Sequence, residues 1–114
     1  MREKKMNIKP LLHAGLFISL SFGTVSVIAE TVIIEIRDDL YGTQQPLTVK
    51  VGTTVKWVNM EKRQYHSVWF EAEGFEEADY IFPEESWERT FDKPGVYPYH
   101  CEPHEGMSGT IIVE

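Results

Sequence analysis

Short runs of alternating apolar and polar residues constrain the fold of this chain most strongly. Thr53–Asn59 (TTVKWVN) alternates throughout, and residues 47–51 alternate before Gly52 interrupts. Two such runs separated by a glycine are typical of half-buried antiparallel strands, because successive side chains of a strand point to opposite faces. From residue 30 onward, no stretch has the 3.6-residue apolar period of an amphipathic helix. The sequence therefore predicts an all-β fold.

Further strands are predicted on both sides of these two runs, in segments rich in β-branched and aromatic residues. These segments are Thr31–Arg37 and residues 66–70, 87–91, 95–101 and 109–113. Proline and glycine lie between the runs, where turns are needed. Residues 71–85 are acidic and irregular, and we expect at most a short helical turn there. Seven or so short strands separated by turns predict a β-sandwich or barrel in one domain.

The first 29 residues differ in kind from the rest of the chain. Four basic side chains lie within the first nine positions, and an apolar run follows over residues 11–29. The run ends in Val27-Ile28-Ala29, so residues 1–29 are predicted to be a secretory signal cleaved before Glu30, with the domain at 30–114 in the periplasm. An uncleaved membrane anchor is the alternative, because about 20 apolar residues span a bilayer.

The 85 residues from 30 to 114 are strongly acidic. They carry 7 basic and 17 acidic side chains, a net charge of −10 with histidine neutral. This charge argues against nucleic acid or an anionic membrane as the partner, and it favours basic protein partners in a salt-dependent way. Solubility alone is the alternative role for the charge.

The most informative single residue is Cys101, the only cysteine of the chain. No disulfide can form within the chain, and a lone thiol in an exported protein pairs with another chain, stays free or serves chemistry. His104 and Met107 follow Cys101 at intervals of three residues. A thiolate and two imidazoles in a trigonal set, with a weak axial thioether, form the copper sites that transfer electrons. The spacing therefore predicts one copper, alternating between Cu(I) and Cu(II).

The second imidazole must come from elsewhere in the chain. Residues 30–114 hold three histidines, His66, His100 and His104. His100 adjoins Cys101 on a predicted strand, so the two side chains should point to opposite faces. His66 begins its own predicted strand, after a polar loop, and can reach the same end of the fold. By elimination, the predicted ligands are His66, Cys101, His104 and Met107.

Three other kinds of protein could use some of these four predicted ligands. A periplasmic copper carrier or chaperone without a redox role would use similar soft ligands, though usually with more methionines. Zinc could bind the thiolate and the two imidazoles, but Met107 would then have no role. A copper enzyme needs further histidine clusters, and three histidines cannot supply them. We therefore expect no enzyme activity.

The segments VGTTVKWVN, FDKPGVYPYHCEPHEGM and SGTIIVE resemble the cupredoxins, or type 1 blue copper proteins. Amicyanin, plastocyanin and pseudoazurin are the nearest members, and the spacing C-x-P-H-x-x-M is most similar to that of amicyanin. The resemblance implies a Greek-key β-sandwich of about seven strands. It also implies that His66, Cys101 and His104 are equatorial ligands and that Met107 is axial. Single-electron transport is the implied function.

The resemblance also implies a docking surface, and one residue of this chain departs from the family pattern. His104 would expose its ring edge through an apolar patch rimmed by Glu102 and Glu105. The expected partners are redox proteins with a basic docking face, such as a c-type cytochrome or a dehydrogenase, which meet the protein as a monomer. Relatives usually have asparagine after the upstream histidine, where this chain has Ser67. We therefore expect the hydrogen-bond strap between the two ligand loops to be shorter or absent.

Overall fold

The computed structural model describes Gly23 and residues 29–114. The predicted signal segment 1–29, and with it the alternative of an anchor, lies outside the described residues except for Gly23 and Ala29. In the part of the chain that is described, no helix is long and apolar enough to cross a membrane.

The described chain forms two facing β-sheets. Its seven strands are β1 (Thr31–Arg37), β2 (Leu40–Tyr41), β3 (Leu47–Val49), β4 (Thr53–Asn59), β5 (Ser86–Phe91), β6 (Gly95–His100) and β7 (Ser108–Val113), with one 3₁₀ turn at Glu71–Glu73. One sheet has the order β2-β1-β4-β5 and the other the order β3-β7-β6. The pairs β1–β4 and β3–β7 are parallel, and the remaining neighbours are antiparallel. The all-β sandwich expected from the alternating runs is confirmed.

Alternation places one side of each strand in the core. In β4, every second residue from Thr53 to Asn59 is buried, and Trp57 is completely enclosed. The ring of Trp57 packs against the rings of Phe70, Trp87 and Tyr99, at centroid distances of 6.1, 5.5 and 5.2 Å. The core therefore contacts the segment that follows His66, through Phe70, and the strand that precedes Cys101, through Tyr99.

The prediction of a strand at residues 66–70 is wrong. This segment makes only two isolated bridges, His66 with Ile81 and Trp69 with His100. Three successive residues, His66, Ser67 and Val68, are almost fully buried. In a strand with one solvated face, buried and exposed side chains alternate. This segment instead passes from its bridge with Ile81 to its bridge with His100, and all three side chains point inward.

Strand β2 was not predicted from the sequence. It pairs with β1 through a tight turn at Asp38 and Asp39, whose φ angles are 53° and 59°. Two successive residues with positive φ are typical of hairpin turns whose twist matches that of the strands, and aspartate tolerates this conformation. Strand β3 ends at Val49 rather than at the predicted residue 51, since the chain turns there into Gly52, which has φ 93°.

We expect Gly109→Ala to lower the free energy of unfolding by about 1–3 kcal/mol, the usual range for overpacking. A Cβ at position 109 would lie 2.4 Å from the ring of Tyr99. Tyr99 cannot withdraw easily, because its ring contacts both Tyr41 and Trp57. Urea unfolding measures the effect, and Ser108→Ala at the exposed neighbouring position is the control. Equal stabilities of the two variants would contradict this packing.

Candidate metal centre

The loop from Cys101 to Met107 is closed by backbone hydrogen bonds. The N–H of Cys101 donates to the carbonyl of Met107 (3.0 Å), and the N–H of Met107 donates to the carbonyl of His104 (3.2 Å). Gly106 permits the turn, because its φ of 85° favours glycine. Cys101 and Met107 are both buried, while 28% of the His104 side chain is exposed. The loop therefore gathers three predicted ligands at one end of the sandwich.

The buried side chain of Asn59 anchors the segments that present His66. Its Nδ2 donates to the carbonyls of Gln64 and Ile81, both at 2.9 Å, and its Oδ1 accepts from the N–H of Glu61 at 2.9 Å. Two backbone hydrogen bonds, at 3.1 and 2.7 Å, then pair His66 with Ile81. Asn59 thus positions the loop that leads to His66, a role not inferred from the sequence.

Three of the four predicted ligands converge on one point. The Sγ of Cys101 lies 3.8 Å from Nδ1 of His66 and 3.5 Å from Nδ1 of His104. The two imidazole rings are tilted by 42° to each other, with centroids 4.7 Å apart. One ligand atom from each of these three side chains lies within 4.8 Å of the others. Each ring therefore turns the same nitrogen, Nδ1, toward the sulfur.

The opposite edge of the buried His66 ring faces two carboxylates. Its Nε2 is 3.5 Å from Oε1 of Glu61 and 3.9 Å from Oδ1 of Asp39. Burial lowers the pKa of His66, as does the neighbouring His104, and the two carboxylates oppose this shift less strongly. The neutral imidazole that this favours is the form that binds metals.

Ser67 joins the two ligand segments. Its backbone N–H donates to the Sγ of Cys101 at 3.4 Å, and its Oγ accepts from the N–H of Glu102 at 3.1 Å. Of the two expected alternatives, a shorter or an absent strap, the shorter one is present: the serine hydroxyl makes one hydrogen bond between the two ligand segments. Serine suffices because its hydroxyl is already buried beside the loop, at a residue with no exposed surface.

We expect Ser67→Ala to lower the free energy of unfolding by about 0.5–1.5 kcal/mol, the net contribution of a typical hydrogen bond, because the part-buried N–H of Glu102 loses its acceptor. The backbone donor to Cys101 would remain, so any thiolate-to-copper absorption should persist. Thermal and urea unfolding measure the change, with Ser108→Ala as the exposed control. A stability equal to that of the control would show that the strap contributes nothing.

Tyr41 adds a second buried group beside the sulfur. Its hydroxyl donates to the carbonyl of Ser67. Burial raises the pKa of Tyr41, and the nearby Cys101 raises it further. The hydroxyl therefore stays protonated and braces the segment that carries His66. Sequence reasoning missed this contact because β2, which carries Tyr41, was not predicted.

His100 lies outside the cluster, as its position next to Cys101 on a strand predicted. Its Nε2 is 2.8 Å from Oε2 of Glu71, and its ring packs against that of Trp69 at a tilt of 36°, with centroids 5.0 Å apart. These contacts hold the His100 side chain on the face of β6 opposite to the Sγ of Cys101.

The donor set fits a copper ion. With the bond lengths known for zinc, about 2.3 Å to sulfur and about 2.0 Å to nitrogen, one first-row metal ion bound to both atoms would hold them about 3.5–3.7 Å apart at bond angles of about 110–120°. The observed separations of 3.5 and 3.8 Å match this arrangement. A thiolate, two imidazoles and a buried methionine nearby combine soft and intermediate donors as copper sites do. The fold and site define a mononuclear copper protein of the β-sandwich class.

Comparison with known proteins identifies the family. Residues 31–114 match the model for copper binding proteins of the plastocyanin/azurin family, and the chain belongs to that family. It is 37% identical over 97 residues to amicyanin of Paracoccus denitrificans, an alignment that covers 82% of this chain and 72% of the relative. It is 40% identical over 79 residues to plastocyanin of Scenedesmus fuscus, and this alignment covers 60% of this chain and 81% of the relative.

The fold is also similar to solved structures. A Cu(I) form of an amicyanin variant superimposes with a TM-score of 0.69 at 34% identity, covering 78% of this chain and 87% of that structure. The resemblance to cupredoxins and the Greek-key sandwich are thereby confirmed. Copper is the cofactor of this family, and the relatives named are copper proteins rather than enzymes.

Proposed function

We propose that the protein is a small exported electron carrier in which His66, Cys101, His104 and Met107 hold one copper. The observation that carries this proposal is the approach of two imidazole Nδ1 atoms to the Sγ of Cys101, at 3.5 and 3.8 Å. Copper, when bound, supplies a one-electron couple. The copper-binding family of the chain supports the same conclusion.

The residues around the ligands supply rigidity. Asn59 and Ser67 hold the two ligand segments through hydrogen bonds that need no metal. Such outer contacts fix the orientation of ligands and tune the metal. The site is therefore shaped before an ion arrives, and a fixed donor set limits rearrangement when the electron moves.

The exposed edge of His104 is the proposed point of electron exchange. Pro103 and His104 are half-buried, and the exposed residues Glu102 and Glu105 flank them. A redox protein with a basic docking face, such as a c-type cytochrome or a dehydrogenase, fits this rim. We further propose cleavage after residue 29, location in the periplasm and action as a monomer.

Visible absorption tests the proposed function. Protein comprising residues 30–114 is titrated with Cu(II), and its spectrum is recorded before and after ascorbate. We expect an intense thiolate-to-copper band that saturates at one copper per chain and bleaches on reduction. Binding of Cu(I) without any band for Cu(II) would assign the protein to copper delivery instead. Absence of copper binding would reject the proposed site altogether.

Electron exchange with a basic partner should slow as salt rises. The net charge of −10 over residues 30–114 attracts a cationic protein over distances that salt screens. Stopped-flow mixing with a cationic c-type cytochrome over a range of ionic strength measures this effect. An anionic redox protein is the control, and its rate should rise with salt. Rates with the cationic protein that do not depend on ionic strength would contradict a basic docking face.

A further inference from the structure

The turn between β1 and β2 carries a carboxylate to the outer edges of both imidazoles. Oδ1 of Asp39 lies 3.9 Å from Nε2 of His66 and 3.9 Å from Nε2 of His104. The positive φ angles of Asp38 and Asp39 give the turn the conformation that delivers this side chain. One carboxylate oxygen is thus shared between two predicted ligands, on the side away from Cys101.

The atoms that meet at this point have unsatisfied hydrogen-bonding capacity. Oδ1 of Asp39 and Nε2 of His66 are both buried, and neither has a hydrogen-bond partner among the described residues. The Asp39 side chain as a whole is 49% exposed, so the turn directs one oxygen inward and leaves the rest in solvent. Buried polar atoms without partners are rare in folded proteins and call for an explanation.

Metal ligation supplies an explanation for this arrangement. A neutral histidine carries one proton, and when Nδ1 is the ligand atom the proton is on Nε2. Both imidazoles would then present an N–H donor toward Asp39, which is an acceptor only. Histidine ligands commonly donate their second ring N–H to a carboxylate, and this contact fixes ring orientation.

We propose that Asp39 is a positioning residue whose carboxylate faces the Nε2 edges of both histidine ligands and lowers the reduction potential by favouring Cu(II). This inference rests on the proposed function. A fixed negative charge next to both imidazoles stabilises the more positive oxidation state of the ion that they hold. Because the oxygen facing the rings is buried, salt screens this charge less than it screens a surface carboxylate.

Asp39 differs from the other carboxylate near His66. Glu61 approaches His66 alone, at 3.5 Å, and its Oε1 also accepts from the backbone N–H of Asp39 at 3.1 Å. Glu61 therefore holds the turn in place as well as facing one ring. Asp39 is the carboxylate that contacts both rings, including the half-buried His104 at the proposed point of electron exchange.

The test compares Asp39→Asn with Asp38→Asn in the copper-loaded protein. Both variants remove one negative charge from the same turn, and asparagine tolerates positive φ as well as aspartate does. Asp38 is exposed and its substitution serves as the control. For Asp39→Asn we expect the preference for Cu(II) over Cu(I) to fall about tenfold, which is about 59 mV upward in a one-electron potential. For Asp38→Asn we expect less than about a twofold change.

A second readout reports the position of the rings. In the diamagnetic Cu(I) form, we expect the Nε2–H protons of His66 and His104 to exchange faster with water in Asp39→Asn than in Asp38→Asn. Equal potentials and equal exchange in the two variants, with native unfolding curves, would overturn the role of Asp39. If the wild-type protein shows no copper band, the proposed function itself fails, and that result is separate from the comparison of variants.

Discussion

Cys101→Ser is expected to abolish the intense visible band of the Cu(II) protein and to weaken copper binding by more than about 100-fold. Substitution of residues that only orient metal ligands already lowers affinity by about 10- to 100-fold, so the loss of the thiolate itself should exceed that range. A serine hydroxyl stays protonated at neutral pH and offers a hard oxygen, whereas copper in such sites uses a soft thiolate. Absorption spectra and competition with a chelator of known affinity measure both effects.

His100→Gln is the matched control for this substitution. His100 is the neighbour of Cys101 on the chain, yet its ring contacts Glu71 and Trp69 rather than the cluster. The control should keep the band, its intensity and the affinity. Loss of the band in the control would place His100 in the site and reject the proposed ligand set. A band that survives in Cys101→Ser would reject thiolate coordination.

The part of the site that follows local spacing could be predicted from sequence. Cys101, His104 and Met107 lie within one loop, and the structure gathers them through backbone hydrogen bonds of that loop. Elimination among three histidines also selected His66, whose Nδ1 the structure brings near the sulfur. The assignment of His66 rested on the exclusion of His100 and on a predicted strand at residues 66–70 that the described chain does not form.

The fold was predictable where burial alternates. Strand β4 has this pattern along its whole length, and its predicted bounds, Thr53–Asn59, are those observed. Residues 66–70 instead bury three neighbours in succession, and a local apolar pattern does not separate a buried crossing segment from a strand. Strand β2 has only two residues, too few to produce any period, and it depends on the turn at Asp38 and Asp39.

The groups behind the histidines could not be predicted from sequence. Asp39 reaches both rings from a turn that lies 27 residues before His66 in the chain. Asn59 acts through a side chain with three hydrogen bonds to backbone groups, and no sequence pattern identifies those partners. Contacts of this kind depend on the packed arrangement of loops and have no fixed spacing.

The other large effect concerns Trp57, which connects the core to the site. Trp57 has no exposed surface, and its ring contacts Phe70 and Tyr99. Phe70 ends the segment that begins with His66, and Tyr99 precedes Cys101 by two residues on β6. Its removal should therefore loosen both ligand segments as well as the core.

Trp57→Ala is expected to lower the free energy of unfolding by about 3–5 kcal/mol, a large part of the 5–15 kcal/mol typical of a domain. Trp57→Phe is the matched control, and it should lose less, because phenylalanine keeps an aromatic ring against Phe70 and Tyr99. Urea unfolding without metal measures both losses. Repeating it with copper at about 100 times the dissociation constant should restore about 2.7 kcal/mol, provided that only the folded chain binds the ion. Equal losses in the two variants, or a negligible loss in Trp57→Ala, would contradict the central packing role of this ring.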